Sequence, residues 1–209
     1  MKPVQFLLVV LTAIPLAAQT ERLGTVSFPV SCAASSQAPF NRGVALLHDF
    51  WYDEARPQFE RIIARDPACA MAHWGVAMSI FHQIWGRPKT SDMELGWQEM
   101  QKAQGLKAGT ERERAYIASL ARFYKPGSEE YQARIDAYSK EMGSLYAKYP
   151  DDVDAGAFYA LSLLAAVKPD DTSLGQEHKA MEFSLRCSPN IVTIPALCTT
   201  SFTLVITRP

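Results

Sequence analysis

Three histidines are the side chains of this sequence whose positions best suit chemistry. His48 and His82 are 34 positions apart, and His73 lies between them. If the chain repeats at that interval, His48 and His82 occupy equivalent places on one face, where imidazole nitrogens can hold a transition metal such as zinc or copper. We favour a structural role for them as packing and capping residues near helix ends, because no third ligand follows at a spacing typical of a metal site.

No catalytic motif accompanies these histidines. The sequence contains no GxSxG, HExxH, P-loop or glycine-rich dinucleotide-binding motif. Its carboxylates are scattered over predicted helix caps and solvent-facing positions, so no acid–base pair is predicted. We therefore expect no enzymatic activity and no cofactor. The formal net charge of −1 provides no basic excess to neutralise phosphates, so a nucleic-acid partner is not expected either.

The stretch from Phe40 to Phe81 repeats itself at the same interval. Gly43 and Ala77 allow neighbouring helices to approach closely, and Ala55 of the intervening helix does the same, with Phe59 filling the gap beside it. A single helix pair cannot bury its apolar face, so such pairs must stack. Displacement by 34 positions places Phe40 on Trp74, Gly43 on Ala77, Val44 on Met78, Leu46 on Ile80, Leu47 on Phe81 and His48 on His82.

This stretch resembles a tetratricopeptide (TPR) repeat followed by the first helix of another, with Pro67 near the end of the unit. The resemblance is specific over residues 40–81 and looser to about residue 182, and it is closest to exported bacterial proteins with several such repeats. It implies an all-α fold of TPR-like antiparallel helical hairpins, stacked as a short right-handed solenoid. It further implies a non-catalytic scaffold that binds a protein or peptide through its helical groove.

The aromatic side chains of the first two hairpins bear on that groove. In TPR proteins the first helix of each pair lines the groove, which would place Trp74, Met78 and Phe81 on or near it. The alternative is that these three residues belong to the core, the commoner role of an aromatic residue at helical spacing. The other aromatic residues of this cluster are Phe50, Trp51, Tyr52 and Trp85.

A second function stays open at this point. The chain could be a metal-binding or enzymatic protein whose site includes His48, His73 and His82, either in this chain or only in a longer ancestor. The sequence does not predict the partner's identity or the oligomeric state.

The N-terminus predicts a signal peptide over residues 1–18. Lys2 supplies the positive start, Phe6 to Ile14 the apolar run, and Ala18 the small residue before the cut. The apolar run is too short to span a bilayer, and an uncleaved anchor is the alternative. We expect an exported protein, periplasmic or extracellular, without membrane attachment after cleavage.

Export changes how two cysteines are interpreted. In an oxidising compartment Cys32 and Cys69 can form a disulfide, which would hold the predicted extended N-terminal lead, residues 19–35, across the first repeat. Two free or buried thiols are the alternative, because sequence alone does not establish the geometry of the pair.

Residues 36–182 are predicted to form the TPR-like domain, with eight helices in four hairpins. Capping boxes are predicted at Ser91 with Glu94 and at Thr110 with Glu113, and Ser128 is predicted to cap the sixth helix. The predicted helices cover residues 36–49, 53–65, 70–85, 91–105, 110 to the break at 126, 128–148, 152–167, and from 173 onward.

Residues 183–209 break the helical pattern, and this irregular tail carries no carboxylate. We interpret it as out of frame, because a reading frame displaced by two bases can encode LFAKYRDHPGIVHYIIHACDHP, which restores a helical pattern and the unit endings. The chain would then be the truncated form of a longer repeat protein. The alternative is a genuine strand or β-hairpin that closes the solenoid.

Overall fold

A computed structural model of the chain describes residues 23–106, 108–127, 130–168 and 170–187. Every regular element in these ranges is an α-helix, which confirms the all-α class. None of the described helices is long and apolar enough to cross a membrane. The helices are α1 Ala34–His48, α2 Tyr52–Arg65, α3 Ala70–Ile80, α4 Thr90–Gly105, α5 Glu111–Tyr124, α6 Tyr131–Lys148, α7 Val153–Ala165 and α8 Gly175–Cys187.

The helix boundaries follow the sequence prediction closely except at two ends. Helix α3 ends at Ile80 and not at Trp85, because the chain turns there, with the Gln83 N–H donating to the Phe81 carbonyl at 2.7 Å. Helix α8 runs on to Cys187, past the predicted start of the tail at residue 183. The predictions for residues 1–18 and for the tail beyond residue 187 lie outside the described residues.

The capping predictions have mixed outcomes. At α5 the Glu113 N–H donates to the Thr110 hydroxyl at 3.1 Å and the Thr110 N–H donates to the Glu113 carboxylate at 2.9 Å, so this capping box is confirmed. The box at Ser91 is wrong, because α4 begins earlier and Asp92 accepts from the Lys89 N–H at 3.1 Å. Ser128 lies outside the described residues.

Successive helices pack against each other along the whole described chain, and α3 also contacts α1 and α5. Phe59 of α2 fits between two glycines. A Cβ atom added at Gly43 would lie 2.6 Å from the Phe59 ring, and one at Gly75 would lie 2.3 Å from it. The close approach predicted at Gly43 is therefore present, and Gly75 supplies the facing small residue, where the sequence had suggested Ala77.

The odd-numbered helices and the N-terminal lead share one aromatic core. Phe28 of the lead is completely buried, with ring centroids 5.4 Å from Phe40 of α1, 5.7 Å from Trp74 of α3 and 4.9 Å from Tyr116 of α5. Phe158 of α7 packs 5.6 Å from the Trp74 ring. Four helices and the lead therefore meet at one point, and the lead is part of the core.

Candidate functional site

His48 is buried in a hydrogen-bonded contact between α1 and α7. Its Nε2 lies 2.8 Å from Oδ1 of Asp154, and its ring stacks on Phe158 with centroids 4.7 Å apart. His48 is 3% exposed and Asp154 is 6% exposed. A buried imidazole and a buried carboxylate satisfy each other here, so the pair joins the first helix to the seventh.

His73 is buried in a separate contact between α3 and α4. Its Nδ1 lies 2.6 Å from Oε2 of Glu99, and Lys102 donates to the other carboxylate oxygen at 2.7 Å. Burial alone would raise the pKa of Glu99, but the hydrogen bonds from His73 and Lys102 outweigh it and hold that pKa below its ordinary value. The carboxylate is therefore charged and fully paired at neutral pH.

His82 lies apart from the other two, with its Nε2 3.2 Å from the Ser79 carbonyl. The structure therefore does not bring the three predicted histidines into one metal site. Within the described ranges, the group of potential metal ligands that lies close together is Cys32, Asp66 and Cys69. The two sulfurs of that group are joined in a disulfide, as the sequence had allowed, with an S–S distance of 2.00 Å.

The three residues predicted to line a groove require a correction. Trp74, Met78 and Phe81 are 1%, 2% and 0% exposed, so they are core residues and cannot contact a partner. Phe28 of the lead packs on Trp74, and Tyr138 of α6 covers the other two, with its ring 5.1 Å from Phe81 and its hydroxyl 4.0 Å from the Met78 sulfur. The chain itself occupies the space that an open groove would offer.

The lead is held in this position by Glu113 of α5. The Ser31 N–H and hydroxyl each donate to the Glu113 carboxylate at 2.6 Å, and Thr110 donates to the same group. Burial alone would raise the pKa of Glu113, but these hydrogen bonds outweigh it and hold that pKa below its ordinary value. The Cys32–Cys69 disulfide fastens the next residue of the lead to the start of α3.

Arg112 completes the attachment of the lead. Its guanidinium lies 4.1 Å over the Phe28 ring, donates to the Pro29 carbonyl at 3.2 Å and donates to Asp152 at 2.6 Å. The Tyr116 hydroxyl donates to the same carboxylate at 3.0 Å. Arg112 and Asp152 thus neutralise each other, and the hydrogen bonds from Ser31 and Thr110 satisfy the Glu113 carboxylate.

A different cavity lies on the surface, between the connection from α1 to α2 and the segment that follows the end of α3. It measures about 290 Å³. Trp85 stands beside it, with its ring 5.8 Å from the Phe50 ring. We call this cavity together with Trp85 the aromatic pocket. Its lining residues are Phe50, Trp51, Tyr52, Asp53, Glu54 and His82.

Among the described residues, the large apolar side chains that are most open to solvent belong to the aromatic pocket. Trp51 is 45% exposed and Trp85 is 62% exposed. Tyr52 and His82 form its floor as a stacked pair, with ring centroids 4.4 Å apart. Trp51 lines the cavity and Trp85 packs on its Phe50 wall, so exposed indole surface adjoins the cavity on a candidate interaction surface.

The backbone at Phe50 determines how these rings are presented. Phe50 has a φ of 60°, a left-handed conformation that residues other than glycine rarely adopt. The Trp51 N–H donates to the Leu46 carbonyl at 2.9 Å and the Phe50 N–H to the Leu47 carbonyl at 3.1 Å. These two bonds form a Schellman motif at the end of α1, with a phenylalanine where glycine is usual.

Two carboxylates form the charged side of the aromatic pocket. Asp53 and Glu54 lie in the exposed first turn of α2, where they also interact favourably with the helix dipole. Neither makes an ion pair with another described residue. Within the described ranges, no lysine or arginine lines the cavity. This pocket is therefore aromatic and acidic.

The sequence contained a signal for this pocket, in the run from Phe50 to Tyr52 and in Trp85.

Comparisons with family models, with curated proteins and with solved structures found no match to this chain. Its function must therefore be argued from its own residues.

Proposed function

We propose that this chain is an exported helical-repeat scaffold, without catalytic activity, that binds a protein or peptide partner through the aromatic pocket. The observation that carries the proposal is the exposure of Trp51 and Trp85 beside a cavity, in a molecule whose other large aromatic residues are mostly buried. Tryptophan and tyrosine side chains are the residues most often responsible for affinity at protein interfaces.

We also propose that the helices form TPR-like hairpins stacked as a short right-handed solenoid. The packing of each helix on the next, the contacts of α3 with α1 and α5, and the fit of Phe59 between Gly43 and Gly75 support this arrangement. A linear stack brings only neighbouring repeats together, whereas His48 of α1 reaches Asp154 of α7. The proposed solenoid is therefore tightly wound, so that its first and seventh helices meet. The aromatic pocket, where we propose that the partner binds, lies at the ends of its helices.

The disulfide supports the proposed export. Structural disulfides persist in the periplasm and outside the cell, and they are rare in a reducing cytosol. The Cys32–Cys69 bond closes the lead onto α3, so an oxidising compartment would add to the stability of the fold. The predicted signal peptide over residues 1–18 agrees with the same location.

A structural role for the histidines supports a scaffold over a catalyst. The pairs His48–Asp154 and His73–Glu99 are each covered by the surrounding helices, so a substrate could not reach them without unfolding. Neither pair borders the aromatic pocket.

The proposal is tested by selecting peptides from a random library displayed on phage against the exported chain, immobilised in its oxidised form. The counter-selection uses the double variant Trp51→Ala, Trp85→Ala. We expect enriched peptides that share a motif and lose at least about tenfold in affinity for the double variant, since interface tryptophans typically cost 2 kcal/mol or more on truncation. A library without enriched peptides, or peptides that bind both proteins equally, would contradict the proposal.

A further inference from the structure

We infer that the aromatic pocket receives one arginine side chain of the partner polypeptide. This inference depends on the proposed function and specifies the chemistry of the partner. It follows from the rings, the charges and the size of the pocket.

The rings suit a flat cation. An arginine guanidinium binds over aromatic faces, where the negative charge of the π system attracts it. The chain itself uses this contact, since the Arg112 guanidinium lies 4.1 Å over the Phe28 ring. In the aromatic pocket Trp51 and Trp85 are partly open to solvent, and Arg112 shows that a guanidinium over a ring can pair with a carboxylate at the same time.

The charges also suit a cation. Asp53 and Glu54 line the cavity, and no lysine or arginine is among the described residues that line it. A partner's arginine would supply the missing positive charge and could bind one carboxylate through two parallel N–H groups, which a lysine cannot do. Complementary charge of this kind gives specificity as well as attraction.

The size of the pocket favours a single side chain. Its volume of about 290 Å³ lies at the lower limit of cavities that hold small-molecule ligands, which run from about 300 to 1,000 Å³. A guanidinium with part of its aliphatic stem needs less room than a cofactor. The wall at Phe50 is held by the Schellman hydrogen bonds of Leu46 and Leu47, so little ordering is needed when the side chain enters.

The test is an NMR titration of the oxidised, ¹⁵N-labelled chain with the peptide acetyl-Gly-Ser-Arg-Ser-Gly-amide. The chain has four tryptophans, so its indole N–H signals report on separate positions. We expect the signals of Trp51 and Trp85 to shift while that of the buried Trp74 stays in place. The same peptide with citrulline, which is neutral and nearly isosteric, should bind at least about five times more weakly.

Charge variants provide the matched control. The double variant Asp53→Asn, Glu54→Gln lacks both carboxylates of the pocket. Its affinity for the arginine peptide should be at least about threefold lower. Glu60→Gln removes an exposed carboxylate of the same helix that pairs with Arg56 outside the pocket, and it should leave the affinity unchanged.

Three results would overturn the inference: no shift at Trp51 and Trp85, equal binding of the citrulline peptide, or equal binding by the variant that lacks both pocket carboxylates. The proposed function fails separately. Library peptides that need Trp51 but contain no arginine would refute the arginine inference and leave the scaffold proposal intact. A library without binders would contradict the proposed function, even if the short arginine peptide shifted both indole signals.

Discussion

Two regions of the molecule are built from the same kinds of side chain but have different roles. One is the core around the N-terminal lead, and the other is the aromatic pocket. Around the lead, Phe28 is buried, Arg112 pairs with Asp152, and Glu113 accepts hydrogen bonds from Ser31 and Thr110. In the pocket the indoles face solvent and the carboxylates have no basic partner among the described residues. Satisfied groups stabilise the fold, whereas unsatisfied ones are available to a partner.

This difference separates stability from recognition in the molecule. Substitutions around the lead should lower the free energy of unfolding and affect binding only through the fold. Substitutions in the aromatic pocket should weaken binding strongly and change stability much less than substitutions around the lead.

The largest effect is expected at Phe28. Phe28→Ala should lower the free energy of unfolding by about 3–5 kcal/mol, because it removes a fully buried ring from the junction of four helices. Urea unfolding followed by circular dichroism measures the change. The matched variant Trp85→Ala removes a larger ring that is 62% exposed and should change the value by no more than about 0.5 kcal/mol. Equal effects at the two positions would remove the distinction between the regions.

Loss of the disulfide should come next. The bond spans 37 residues, so its removal in the Cys32→Ser, Cys69→Ser variant should destabilise the chain by about 2–4 kcal/mol. Reducing agent should lower the unfolding midpoint of the natural chain and leave that of the double variant unchanged. A variant as stable as the natural chain would show that the lead does not depend on this covalent attachment.

Acid should loosen the lead through Glu113. Because its pKa is lower in the folded chain than its ordinary value of 4.5, the carboxylate contributes stability above that pH. That contribution is lost as the pH falls from about 4.5 through the folded pKa. Glu113→Gln should cost about 1–3 kcal/mol at pH 7, since an amide cannot accept every N–H and O–H now facing the carboxylate.

Unfolding measured at several pH values checks the assignment of this effect to Glu113. The free energy of unfolding of Glu113→Gln should fall less between pH 5 and pH 3 than that of the natural chain. Identical slopes for the two proteins would show that other groups are responsible for the acid sensitivity.

A small effect on stability is expected at Phe50. Phe50→Gly relieves the left-handed conformation but loses ring contacts, so stability should change by no more than about 1 kcal/mol. Phe50→Ala loses the same ring and keeps the conformational cost, so it should be less stable than the glycine variant by about 1 kcal/mol. Both variants should weaken binding of the selected peptides. Equal stability of the two would contradict the Schellman assignment.

Local sequence patterns predicted much of the fold. Caps, breaks and apolar periodicity gave the eight helices, and the 34-residue interval predicted a close helix approach at Gly43, where Phe59 packs. Such patterns could not predict the contacts between helices that are far apart in the sequence. His48 and Asp154 are 106 positions apart, and nothing in the local sequence of either indicates the other.

The candidate site was predicted less well than the fold, for a physical reason. The groove assignment assumed an open stack, whereas the lead and α6 cover Trp74, Met78 and Phe81. The aromatic pocket depends on the left-handed backbone at Phe50, which a phenylalanine seldom adopts and its sequence context does not signal. The run of aromatic residues was visible in the sequence, but its orientation was not.

The most direct test of the division between stability and recognition is made on the double variant Trp51→Ala, Trp85→Ala. Its unfolding midpoint in urea and its affinity for a selected peptide are measured side by side with those of the natural chain. We predict an unchanged midpoint and a loss of at least about tenfold in affinity. Unchanged affinity, or a loss of affinity together with a large fall in the midpoint, would contradict the account.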